Sequence, residues 1–92
     1  MGLHEQLRAA EEAYAALRAR RDESRRAMNA ALNNLRDARR TDPRAYTAIA
    51  EQEARLAWVR ADTLKAHDDF NEMAGEVRKL RRDAKAETRV PA

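Results

Sequence analysis

The chain has no cysteine, which excludes a disulfide framework and any thiolate metal site. Glycine and proline occur only twice each and serine once, at Ser24. A turn-rich β-architecture is therefore not expected, and the composition lacks the Pro, Gly and Ser that mark disordered segments. Aromatic side chains are limited to one Phe, one Trp and two Tyr, too few to fill an ordinary globular interior. No apolar run approaches the roughly 20 residues of a membrane span, and residues 1–8 lack both the basic start and the apolar stretch of a signal peptide. Gln6 stands where a myristoylation signal requires Ser or Thr. These absences lead us to expect a chain that does not enter membranes and resides in the cytoplasm.

What is present is alanine, 21 residues of it, and charge, 38% of the chain. That balance matches the Ala/Glu/Lys/Leu/Arg signature of long helices and coiled coils. Sixteen Arg against three Lys fit GC-rich coding and suggest a bacterial or phage source. A 4-3 spacing of mainly apolar residues runs through Leu3, Leu7, Ala10, Tyr14, Leu17, Arg21, Ser24, Met28, Ala31, Leu35 and Ala38. It recurs through Ile49, Gln52, Leu56, Val59, Thr63, Ala66, Phe70, Met73, Val77, Leu80 and Ala84. Each half thus carries a heptad seam, and the fold class is all-α: an antiparallel two-helix hairpin of coiled-coil type, open to dimerisation into a four-helix bundle.

Thr41-Asp42-Pro43 separates the halves. Asp42 suits a helix N-cap, Pro43 suits the first helical position, and the residue before a proline avoids helical backbone angles. The expected layout is a first helix at about 3–39, a turn at 40–43, and a second helix at about 43–88. A turn centred near residue 40 or 41 pairs residues whose numbers sum to about 80, with a sum near 87 as the alternative. The first register opposes Leu35 to Ala45, Ala31 to Ile49, Ser24 to Leu56, Tyr14 to Ala66, Ala10 to Phe70, and Leu7 to Met73. It also brings Arg25 near Glu53 and Arg20 near Asp62. It leaves everything beyond Val77 without a partner, so residues 78–92 become a basic C-terminal overhang, with Gly75 as a place to kink or stop.

Two surfaces stand out as candidates for binding. On the second helix, Ala50, Ala54, Ala57, Ala61 and Leu64, with Trp58 at the edge, form a second stripe that a lone hairpin leaves in water, and Leu32 widens the apolar face of the first. Such a stripe is either the ordinary product of alanine's helix propensity or a contact for another helix. Arg78, Lys79, Arg81, Arg82 and Lys85 concentrate positive charge at one end. They can complement the negative end of the helix dipole or follow a phosphate backbone. A further basic group, Arg18, Arg20, Arg21, Arg25 and Arg26, reads as a solvated helical surface laced with Asp22 and Glu23. Arg21 within the seam either fixes register as a polar interruption or snorkels to water.

Enzyme readings find little support. His4 and His67 are far apart and belong to no ligand motif, Asp68, Asp69, Glu72 and Glu76 read as one charged helix face, and glycine loops for phosphate are missing. No cofactor is expected. The function expected from sequence is a noncatalytic helical protein–protein interaction module, such as an adaptor, assembly factor or small inhibitor. Its partner would be a second copy or a larger protein. The alternative is a nucleic-acid-binding hairpin using the basic end.

Overall fold

The computed structural model describes residues 2–88. Two helices, α1 (Leu3–Thr41) and α2 (Tyr46–Glu87), account for the fold. They lie antiparallel along their whole length, and the described residues contain no strand. Strong helix formers without an internal proline let each run for many turns. At 1.5 Å per residue, the 39 residues of α1 and the 42 of α2 reach about 58 and 63 Å.

The turn differs from the sequence expectation. Asp42 does not cap α2: it closes α1, with extended backbone (φ −150°, ψ 96°) and its N–H donating to the Ala38 carbonyl at 3.2 Å. Its side chain turns forward, where Oδ1 accepts the Arg44 N–H at 3.0 Å, and its carbonyl accepts the Ala45 N–H at 3.1 Å. Asp and Pro thus build an Asx-type turn that delays α2 to Tyr46, three residues later than Pro43. Ala45 is the N-cap and supplies no side-chain bond.

That longer loop moves the centre of the hairpin to between Pro43 and Arg44 and shifts the register by one heptad. Thr63 Oγ1 donates to the Ser24 carbonyl at 3.2 Å, and Ala31, Leu35 and Leu56 are buried together with Met28, Leu32 and Ile49 against them. Opposed residues have numbers adding to 87, as Ser24 and Thr63 do, so the register summing to about 80 is incorrect. Ser24 faces Thr63 in place of Leu56, Ala31 faces Leu56 in place of Ile49, and Leu35 faces Gln52 in place of Ala45. Likewise Tyr14 faces Met73, Ala10 faces Val77 and Leu7 faces Leu80. The advantage of this register is completeness. Every seam position of one helix meets a seam position of the other, position a against position d, from Leu3 opposite Ala84 to Ala38 opposite Ile49.

The expected overhang accordingly disappears over the described residues. Val77 and Ala84 are both buried, at 3% and 6% exposure, because the N-terminal turns of α1 cover them. Arg89 to Ala92, the rest of that segment, lie outside the described residues. Gly75 is not an end, since α2 continues through it for three more turns.

Polar residues interrupt the middle of the seam. Ser24, 6% exposed, donates Oγ to Asp62 Oδ2 at 3.1 Å, while Thr63 Oγ1 also donates to its own helix at the Val59 carbonyl, 2.8 Å away. One layer away, the Arg21 guanidinium lies 4.1 Å from the centre of the Phe70 ring and is held at 3.0 Å by Asp22. Phe70 in turn meets Tyr14 with ring centres 5.0 Å apart. Arg21 therefore combines a buried stem with a cation–π contact.

Candidate interaction surfaces

With the seam residues at heptad positions a and d, positions e and g flank it and b, c and f form the outside of each helix. The stripe Ala50, Ala54, Ala57, Ala61 and Leu64 falls on positions b and f of α2, with Trp58 at c beside it. All six are exposed. Trp58 is 71% exposed and Leu64 65%, so the face that the sequence singled out is turned away from α1. Tyr46, 76% exposed, stands at its N-terminal end. Leu32, at position e of α1, packs against the core and lines a shallow groove with Leu35, Leu56, Arg60 and Ala57 of the stripe.

The basic end is divided by its heptad positions. Arg81, at position e, donates Nε to Glu11 Oε1 of α1 at 3.2 Å. Arg78 and Lys85, at b, share its side of the hairpin. Lys79 at c lies on the opposite side, and Arg82 at f on the back. All five are exposed. Arg78, Arg81 and Arg82 converge around Gly75, where the missing side chain leaves room between the guanidinium groups.

The flanks show an asymmetry that sequence inspection missed. Across one flank, e residues of α1 oppose e residues of α2 in rungs. The two outer rungs are ion pairs, Arg39 with Glu53 at 3.1 Å and Glu11 with Arg81 at 3.2 Å. The same register makes the three rungs between them Leu32 with Arg60, Arg25 with His67, and Arg18 with Ala74. None of these inner rungs contains a carboxylate. Arg18, Arg25 and Arg60 are exposed, and Asp22, which lies between two of them in sequence, is engaged by Arg21. Across the other flank, at the g positions, α2 presents Asp62, Asp69, Glu76 and Asp83. There Arg20 reaches Asp62 at 3.6 Å and Asp69 at 3.1 Å, which includes the Arg20–Asp62 pair expected from sequence. Arg25, by contrast, does not reach Glu53. The seven-residue spacing of Arg18 and Arg25 was visible in the sequence; Arg60 joins them on this flank once both helices are set in one heptad frame, and the register decides only which rung it occupies.

Among the described residues no group of three or more His, Asp or Glu side chains is placed to hold a metal ion. None of the described helices is long and apolar enough to cross a membrane. Comparison with protein-family models, with characterised proteins and with solved structures finds no match, so the functional reading rests on the hairpin's own geometry.

Proposed function

We propose that the chain is a noncatalytic helical interaction module that binds another protein, or a second copy of itself, through the outer face of α2. The observation that carries this reading is the exposure of Trp58 and Leu64 on a continuous alanine stripe. Burial of each large side chain contributes about 1.5–3 kcal/mol, and alanine lets a partner helix approach closely. The hairpin also has little interior of its own, because among the described residues no large side chain is fully buried, and helices of this kind gain most of their stability from packing. A rod that covers a second stripe would therefore be more stable than one that does not. An adaptor, an assembly factor or a small inhibitor would each use such a surface.

Solution mass by light scattering across a concentration series, with circular dichroism on the same samples, tests the proposal. If the partner is a second copy, the mass doubles as concentration rises, and Trp58→Ala or Ala57→Glu returns it to that of a monomer with helicity largely kept. If the partner is a different protein, the same substitutions abolish its capture. Association that survives Ala57→Glu places the interface elsewhere.

A further inference from the structure

We propose that the flank carrying Arg18, Arg25 and Arg60 binds the phosphate backbone of a duplex nucleic acid. This surface borders the outer face of α2, since Arg60 and Ala57 line one groove, but it does not depend on the protein-binding role. The three arginines occupy three consecutive rungs, and rungs one heptad apart are about 10.5 Å apart along the rod. They form a row of exposed arginines made by both helices, and the register spreads them one to a rung by putting Arg60 opposite Leu32. The outer rungs show what a neutralised rung looks like here, with Arg39 on Glu53 and Arg81 on Glu11. The inner three have no such acid. On the same side, Arg78 lies between the Ala74 and Arg81 rungs and Lys85 beyond them, and Arg78 shares a groove with Tyr14, Ala74 and Arg81.

Several features select phosphate in a duplex. Guanidinium matches phosphate oxygens in a two-pronged hydrogen bond and stays charged at any physiological pH. The cations occupy the middle of the flank, where an interface with another protein is usually depleted of charge. The inner rungs contain no Phe, Tyr or Trp on which unpaired bases would stack, as binding of a single strand requires. Asp62, Asp69, Glu76 and Asp83 lie on the opposite flank, so a polyanion is attracted to one side of the rod and repelled from the other. Contacts of this type position a protein on a backbone and do not read sequence.

The test is fluorescence anisotropy of a labelled duplex of about 20 base pairs, roughly as long as the rod, titrated with the full chain between 50 and 200 mM salt. DNA and RNA duplexes of one sequence form the two arms and show which is preferred. The expected result is micromolar binding that weakens steeply with salt, as counterion release requires. The triple variant Arg18→Gln, Arg25→Gln, Arg60→Gln is expected to lower affinity at least tenfold at the low-salt end and to reduce the salt slope by about three. The control is Arg55→Gln, Lys65→Gln, Lys79→Gln, which removes the same charge from exposed positions on the other side. It is expected to stay within about twofold of the parent. Circular dichroism confirms that both variants keep their helices. Absence of binding at 50 mM salt, an equal loss in the control, an unchanged triple variant, or stronger binding to the single strand than to the duplex would each overturn the proposal.

Discussion

Gln52 occupies a seam position opposite Leu35 and leaves Oε1 buried without a hydrogen-bond partner among the protein's own groups. A buried acceptor in that condition costs about 1–3 kcal/mol. Leucine has a similar helix propensity and would extend the cluster formed by Ala31, Leu35 and Leu56. Gln52→Leu is therefore expected to stabilise the hairpin by roughly 1–2 kcal/mol, read as a higher urea midpoint. A lower midpoint would mean that the amide is doing something that leucine cannot. The other polar seam residues are different in kind. Ser24, Thr63 and Arg21 each have a partner, a carboxylate, a carbonyl or an aromatic ring. For Arg21 the sequence allowed two outcomes, a register device or a snorkelling side chain. Which one prevails depends on Phe70, and that contact could not be inferred before the opposing residues were known.

At the scale of the helices, Gly75 shows how packing overrides local preference. Its helix cost of roughly 1 kcal/mol relative to alanine suggested a break in the chain, yet Met73 and Val77 on either side are held against α1 and carry the helix through. A Cβ built at residue 75 would meet only Arg78 Nη2, at 3.9 Å, which is ordinary van der Waals contact. Gly75→Ala is thus expected to raise stability by about 1 kcal/mol, measured as an increase in Tm by circular dichroism. A decrease would show that the space beside the arginines is needed. The existence and antiparallel pairing of the helices were legible in the sequence, because two 4-3 stripes separated by one proline admit little else. The register was not, since a heptad pattern maps onto itself when slid by seven residues. Reading Asp42-Pro43 as a helix start misplaced the turn, and with it every opposed pair.

Across the whole molecule, the same shift decides which surfaces exist. The exposed face of α2 was legible because it follows from one helix alone: positions b, c and f are outside whatever the register. Over the described residues the basic overhang was a product of the wrong register, which also put Arg60 opposite Arg25 and not on a rung of its own opposite Leu32. A surface assembled from two helices cannot be read from either one. That division also distinguishes the two proposed partners, one meeting a single helix and the other lying along an edge that both helices build.

The layer-on-layer match from Leu3 and Ala84 to Ala38 and Ile49 also makes the hairpin tolerant to change in a particular way. Its length behaves like a ruler that can be cut only in matched pieces. Removing residues 18–24 from α1 and 63–69 from α2 takes out two opposed segments of one heptad each, joins Leu17 to Arg25 and Asp62 to Phe70 in phase, and shortens the rod by about 10.5 Å. The product is expected to fold, with its polar middle layers gone and Leu17 opposite Phe70 now next to Met28 opposite Val59. Small-angle scattering would show the shorter particle. Removing either segment alone would slide half of the layers by a heptad and strand seven residues, so its melting transition should be broad and low. A lineage of such chains would be expected to vary in length by paired insertions and deletions of seven, with changes in one helix answered at the same distance from the turn in the other.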